Sequence, residues 1–450
     1  MIELIGVLIS FLLILLSAAI LFYWLGKRAG KAETLGALEN GCFVYRNEKK
    51  AQFAPVSSED FSKRPRKRSS ELVIDFSGNN QNANADEQSL ADEHEDAVIQ
   101  TSNYIVFRDD DIDEFRSRFQ IKISDIELSH LLGSGYNGGV NRAKVRSSTV
   151  AVKRMNNFYD DTAKKQFWEE LKTIAAAGLL PNVLTFLGFV ESKRGFWIVL
   201  ECCDDGDLLT YVRNKRATFE DNLEHSEFNE NDNSGIEKQK GDKYKSRVVE
   251  DDSRLCTFDL LSFAYQIANG MKHLTSVSII HSDLALRNVL VTGDLTIRIG
   301  DFGIARRVET KQYYRATDDI IISIHHAAPE VFENREFSEK TAVWAFGVTL
   351  FELFSLGARP YKQIGHIDEF VKCGGRLSKP EYCTDDIYKF MLKCWDMDPD
   401  NRPNFSRCKQ FFEEHFDHHN LSIREDVERK LKVAVEEQKR LQNLVRSGNQ

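Results

Sequence analysis

The stretch His281-Ser282-Asp283-Leu284-Ala285-Leu286-Arg287-Asn288, followed by Asp301-Phe302-Gly303, constrains this chain more than any other feature. A carboxylate and an amide five positions apart, then a second carboxylate thirteen positions past the amide, form the polar set that phosphoryl transfer from a nucleotide requires. Asp283 can orient an attacking hydroxyl and accept its proton, while Asn288 and Asp301 can hold Mg2+ or Mn2+ on the phosphates. Either stretch alone would arise by chance; the ordered pair is hard to explain as a packing pattern.

Upstream motifs follow in matching order. Gly133-Ser134-Gly135-Tyr136-Asn137-Gly138-Gly139-Val140 lies between two apolar stretches that read as strands, and its glycines let backbone fold closely over phosphates where a Cβ would intrude. On its own this run reads more readily as a tight hairpin than as a phosphate cover. It is followed by Val150-Ala151-Val152-Lys153, an alternating strand ending in a cation that can reach the α- and β-phosphates. That lysine needs a carboxylate to hold it, and the helix-like Gln166-Phe167-Trp168-Glu169-Glu170-Leu171 offers two. An exposed Lys–Glu pair is usually a surface contact of little value, so the order of the four motifs is what favours a nucleotide site.

Taken together, these residues resemble a eukaryotic protein kinase of the receptor tyrosine type over residues 126–415. Ala285 and Arg287 match the tyrosine-specific form of the catalytic loop, and Ala328-Pro329-Glu330 closes an activation segment containing Tyr313-Tyr314. Trp344-Ala345-Phe346-Gly347 and Cys394-Trp395-Asp396-Met397-Asp398-Pro399 resemble lower-lobe signatures, and Arg402 matches the arginine that pairs with Glu330 in the family. The resemblance implies a two-lobed α+β fold, with an antiparallel sheet and one helix around Glu170 in the smaller lobe and a mostly helical larger lobe. It implies transfer of the γ-phosphate of ATP to protein tyrosine, with Asp283, Arg287, Lys153 and Glu170 catalytic and Asn288 and Asp301 on the metal. Leu132, Gly133, Ser134, Gly135, Gly138, Val140, Ala151, Lys153, Leu290 and the hinge from Glu201 to Cys203 would surround the nucleotide, with Leu200 as gatekeeper. Tyr313 and Tyr314 are the implied autophosphorylation sites.

A chain of 450 residues with a formal charge of −9 gives no reason to expect nucleic acid as a partner. Its eight cysteines show no CxxC pairing and no spacing to histidine that suits zinc, so they read as reduced thiols. Leu4 to Leu25 is an uncharged run of 22 residues. At about 1.5 Å per residue it is long enough for a hydrocarbon core of about 30 Å. Phe22-Tyr23-Trp24 and then Lys27, Arg28 and Lys31 flank its end, so the positive-inside bias puts the amino terminus outside and the remainder in the cytosol; the plasma membrane is the location that the receptor resemblance implies. A cleaved signal peptide is the rival reading, but a basic start and a clear cleavage site are missing.

The expected organisation is therefore an extracellular stub 1–3, a transmembrane helix 4–25, a partly disordered juxtamembrane linker 26–125, the kinase domain 126–415 and a helical tail 416–450. Polar residues 215–254 read as a kinase insert, as in the split kinases of fibroblast growth factor and platelet-derived growth factor receptors. So small an ectodomain resembles the small nematode receptor-like tyrosine kinases. The basic run Lys63-Arg64-Pro65-Arg66-Lys67-Arg68 reads as either a lipid-headgroup contact or a solvated charge run. Val427, Leu431, Ala434, Leu441 and Val445 in the tail have a/d spacing interrupted by Gln438, which favours one amphipathic helix over a coiled coil. Expected partners are protein tyrosine substrates, a second copy within the membrane, and an SH2-domain adaptor at Tyr45, which Arg46 and Asn47 follow.

Four family positions are changed. Ser282 replaces the arginine that grips a phosphorylated activation segment, Ala342 an aspartate that braces the catalytic loop, His326 a tryptophan and Ser323 a proline. The charged set Lys153, Glu170, Asp283, Asn288 and Asp301 is retained, which favours an active enzyme over a pseudokinase scaffold or a membrane-tethered docking protein. Without the arginine, phosphorylation should couple weakly to activity unless Arg306 or Arg307 takes its place, and replacing both tyrosines by phenylalanine should cost little.

Overall fold

The lysine strand and the glycine-rich stretch become neighbours in one antiparallel sheet. A computed structural model describes residues 112–135, 138–155, 161–193, 195–224, 243–244, 254–308, 312–317 and 322–446. Helix α1 (Ile112–Phe119) precedes strands β1 (Ile126–Gly135), β2 (Gly138–Val145) and β3 (Ser148–Met155). Helix α2 (Asp161–Ala177) follows, then β4 (Phe186–Ser192) and β5 (Gly195–Glu201), giving the sheet order β1-β2-β3-β5-β4. Period-two alternation divides β3 between two faces. Val150 and Val152 pack with Leu187, Val190 and Val199 on one side, while Ala151 joins the larger apolar cluster on the other. Phe167, Leu171 and Ile174 bury one face of α2, and Glu170 is carried inward on that face.

The larger lobe is mostly helical. Helix α3 (Leu208–Lys215) is capped by Asp207, whose side chain accepts from Thr210 N at 2.9 Å. A short pair, β6 (Leu223–Glu224) and β7 (Lys243–Tyr244), precedes α4 (Thr257–Ser276). Strands β8 (Ile279–Ile280), β9 (Val289–Val291), β10 (Ile297–Ile299) and β11 (Arg306–Arg307) pair as β8–β11 and β9–β10. Strand β12 (Tyr313–Arg315) pairs with β13 (Glu336–Ser338) across helix α5 (Pro329–Asn334). Helices α6 (Glu339–Phe354), α7 (Ile367–Lys372), α8 (Asp385–Cys394), α9 (Phe405–His418) and α10 (Ile423–Arg446) complete the lobe. Apolar nearly all round, α6 is the buried axis of the lobe. A Cβ at its Gly347 would lie 2.5 Å from Trp395 Nε1, so the indole needs the glycine. Buried Arg402 forks onto Glu330 at 2.7 and 3.0 Å and stacks on Trp344, 5.0 Å from the ring centre.

Three boundaries differ from the sequence reading. The linker does not reach residue 125: α1 docks on the sheet through Phe115 and Phe119, which pack against Phe186 and Phe189. The insert 215–254 is partly built into the domain, because β6 pairs with β7 and Glu220 N donates to Leu255 O at 2.9 Å, pinching the two ends together. The domain limit at 415 falls inside α9, and the tail is a single helix folded back onto both lobes. Val427 and Leu431 join the main core, whereas Val445 joins the small-lobe cluster. Among the described residues no helix is long and apolar enough to cross a membrane; the expected stub, transmembrane run 4–25, basic run 63–68 and Tyr45 all lie outside them.

Two imidazoles, one buried and one half-buried, give the lower lobe an acid limit. Burial pushes His273 in α4 down to about 4 and His415 in α9 down to about 3; the Tyr244 hydroxyl lies 2.7 Å from His415 Nε2. An unfolded histidine titrates at about 6.5, so between these values the unfolded chain binds more protons than the folded one. Their contribution is complete above about pH 6.5 and is lost as pH falls toward about 4 for His273 and about 3 for His415. Thermal midpoints should decline across that window; a flat profile would mean that these rings do not stay neutral.

Candidate functional site

Strands β8 and β9 bracket the catalytic loop, and β10 leads straight into Asp301. Both oxygens of the Asp283 carboxylate are gripped. Arg287 Nη2 donates to Asp283 Oδ1 at 2.5 Å, and Asn288 Nδ2 donates to Asp283 Oδ2 at 2.8 Å and to its carbonyl at 2.7 Å. Above the loop, Lys153 Nζ on β3 lies 2.6 Å from Glu170 Oε1 on α2 and 2.9 Å from Asp301 Oδ1. Two carboxylates, 17 and 148 positions further along the chain, thus share one ammonium. Burial alone would lower that ammonium, but Glu170 and Asp301 outweigh it and hold it above the ordinary lysine range. Asp301 lies below the usual carboxylate range because of Lys153, whereas burial and the charge of Asp301 push Glu170 up against the pull of the lysine.

The remaining expected residues fall around this cluster. Pairing sets Val140 opposite Lys153 and Ala151 opposite Leu200, and Leu290 on β9 is half-buried against the main core. Leu132, Gly133 and Ser134 are exposed on β1, and Cys203 is half-buried at the end of the hinge. The side chain of Glu201 turns away from any nucleotide role. Its Oε1 accepts from Thr185 N at 2.7 Å and Gln438 Nε2 at 3.0 Å, and Oε2 lies 3.3 Å from Arg298 Nε, so contact with a ligand is left to its main chain.

The glycines separate into two kinds. A Cβ at Gly133 would meet nothing within 4 Å, so internal packing does not explain that residue. A Cβ at Gly138 would lie 1.7 Å from the Arg154 carbonyl, so the β2–β3 pairing itself demands glycine there. Gly138→Ala should therefore destabilise the fold by about 3 kcal/mol. Gly133→Ala should leave the thermal midpoint unchanged and weaken ATP binding; equal loss of stability in both variants would contradict the distinction.

A divalent cation has suitable donors here. The amide nitrogen of Asn288 is used within the loop, which leaves its oxygen to ligate, and Asp301 keeps half of its side chain exposed beside the lysine. Among the described residues no three His, Cys, Asp or Glu side chains cluster with metal-ligating geometry. One carboxylate and one amide suit a magnesium ion that keeps its waters and takes phosphate oxygens.

The four changed positions gather in one place: Ser282, Ser323, His326 and Ala342 all line a cavity of about 10 Å³, the room of a single water. The bracing that Ala342 cannot give comes from elsewhere on α6. Glu352 Oε2 accepts from Leu286 N at 3.1 Å, Thr349 Oγ1 lies 3.4 Å from Leu284 O, and His326 Nε2 lies 3.2 Å from Glu352 Oε2. Of these, Thr349 and Glu352 escaped the sequence reading; the one available signal was a glutamate deep in the apolar part of the helix.

Over residues 126–412 the chain matches the family described as protein tyrosine and serine/threonine kinase. It is 36% identical over 368 residues to the receptor-like tyrosine-protein kinase kin-15 of Caenorhabditis elegans, covering 74% of this chain and 73% of that one. The tyrosine-protein kinase receptor old-1 of the same organism is 36% identical over 341 residues, 71% of this chain and 64% of its own length. The receptor ver-3, also from C. elegans, is 34% identical over 80% of this chain, which spans 31% of ver-3. The chain therefore belongs to the protein kinase family, among its receptor-like tyrosine kinases.

Proposed function

We propose that the cleft transfers the γ-phosphate of ATP to tyrosine hydroxyls of proteins, with Asp283 as the group that receives the hydroxyl proton. The cluster of Lys153 with Glu170 and Asp301, next to the Asp283–Arg287–Asn288 loop, carries this reading. Lys153 would orient the α- and β-phosphates while Glu170 fixes its position, and Arg287 would offset charge near the transferred group. Gly133, Gly135 and the backbone of Ser134 would cover the phosphates, and Val140, Ala151 and Leu290 would enclose the adenine. Asn288 and Asp301 would hold Mg2+ or Mn2+, which when bound neutralises phosphate charge. The reaction depends on positioning and electrostatics, so a charged set already closed supports an active enzyme rather than a scaffold. Purified full-length chain in detergent, given Mg-ATP and a glutamate–tyrosine copolymer, should yield phosphotyrosine. No phosphotyrosine alongside normal ATP binding would return the reading to a pseudokinase scaffold.

The apolar run 4–25 and its basic flank support a single-pass topology with the kinase domain in the cytosol, self-association in the membrane, and an SH2-domain adaptor at phosphorylated Tyr45. Protease added outside intact cells should leave the kinase domain whole; its digestion would overturn the topology.

A further inference from the structure

The twin tyrosines do not share one environment. Tyr313 is exposed, whereas the Tyr314 phenol is turned inward, its oxygen 2.8 Å from Ser282 Oγ and 2.6 Å from Ile304 O. A carbonyl only accepts, so the phenol proton goes to Ile304 and the Ser282 hydroxyl donates to the phenol oxygen. The Tyr314 ring stacks on Phe337, its partner across β12–β13, with centres 5.4 Å apart and planes at 18°. One side chain thus ties the activation segment to the catalytic loop beside Asp283, to the turn after Asp301 and to the floor of the lobe.

From this geometry we propose that Tyr314 is a positioning residue that holds the activation segment in its ordered arrangement while unphosphorylated, and that Tyr313 is the phosphoacceptor of the pair. The proposal rests on the phosphotransfer reading given above. Serine at 282 is what makes it work: its neutral hydroxyl donates to the phenol oxygen, where a buried cation would need an anion opposite it. A phosphate on Tyr314 would have to leave this seat, since the adjoining cavity has about 10 Å³ and the phenol oxygen already has two partners. Charged groups facing the phenol are few. Asp283 would repel a phosphate, and Arg306 is already donating to the carbonyls of Ala305 at 2.8 Å and Gly303 at 3.4 Å. Burial also pushes the phenol up to about 12, in keeping with a hydroxyl kept protonated. The small loss expected of a double phenylalanine variant considered phosphorylation only; the bonds to Ser282 and Ile304 add a cost that falls on Tyr314 alone.

The test uses the full chain, treated with phosphatase, with three readouts: kcat and KM for ATP on the glutamate–tyrosine copolymer, phosphosite mapping after autophosphorylation, and amide hydrogen exchange over residues 312–317. Phosphate-free protein should show protected amides there and should start without a lag, with phosphate appearing on Tyr313. Tyr313→Phe should retain the basal rate. Tyr314→Phe and Ser282→Ala should each lose the protection and about tenfold in kcat, with KM for ATP unchanged. Ser282→Arg cannot seat its guanidinium in the cavity, so it should expel the phenol and make activity depend on prior phosphorylation, seen as a lag. Stoichiometric phosphate on Tyr314 of the wild-type chain, or unchanged protection in Tyr314→Phe, would overturn the proposal. Loss of protection in a chain that never transfers phosphate would instead uphold the latch and overturn the phosphotransfer reading.

Discussion

Asp283→Asn is expected to stop phosphotransfer while leaving ATP binding in place. Each oxygen of this carboxylate accepts a bond from a different donor, Arg287 on one side and Asn288 on the other. An amide has one acceptor oxygen, so its NH2 would face one of those donors, and it cannot take up the substrate proton. The Lys153, Glu170 and Asp301 cluster does not touch the replaced atom through any of its hydrogen bonds, so the nucleotide seat should survive. Removing a group of this kind typically costs about 3–4 kcal/mol of barrier, a factor on the order of a hundred to a thousand. The comparison to make is kcat on the copolymer against ATP affinity measured by calorimetry. Wild-type turnover in Asp283→Asn would show that the proton goes elsewhere and that Asp283 is not the base.

Why that site could be read from the chain, and other parts could not, follows from the kind of interaction each involves. Lys153, Asp283, Asn288 and Asp301 are polar residues whose chemistry fixes their types and spacing, so the pattern survives without any knowledge of packing. The docking of α1 was missed because Phe115 and Phe119 are isolated in a polar stretch that reads as linker, and only Phe186 and Phe189 on a distant strand make them core. Tyr314 and Ser282 are 32 positions apart and meet only through the β12–β13 pairing. The buried approach of His326 to Glu352 likewise has no local signature, because its value depends on desolvation that a sequence does not display. Gln438 was visible as the break in an apolar a/d pattern, which favours one amphipathic helix over a coiled coil, but the use of that break was not legible.

That use leads to the second large effect, the loss of α10. The helix crosses the back of the molecule from the core of the larger lobe, where Val427 and Leu431 are buried, to the small-lobe cluster that holds Val445. Midway, Gln438 is 2% exposed and donates one amide hydrogen to Glu201, the last residue of β5, which is itself held by Thr185 N and Arg298. Nearer its end, Gln442 Nε2 donates to Phe186 O at 3.2 Å and Arg146 Nη1 donates to Leu444 O at 2.8 Å. Fully burying an aliphatic side chain contributes about 1.5–3 kcal/mol, so Val427, Leu431, Val435 and Val445 together outweigh the polar contacts. Ending the chain at residue 420 should therefore remove roughly 5 kcal/mol or more, comparable with the whole stability of an ordinary domain. A much lower thermal midpoint with early loss of ATP binding is the expected result. Gln438→Glu examines the same contact with the helix kept: a second buried carboxylate against Glu201 must either take up a proton or push the helix off, so it should destabilise far more at pH 8 than at pH 5. A truncated chain as stable as the full one, or a Gln438→Glu variant indifferent to pH, would mean that α10 merely rests on the surface and does not hold the two lobes together.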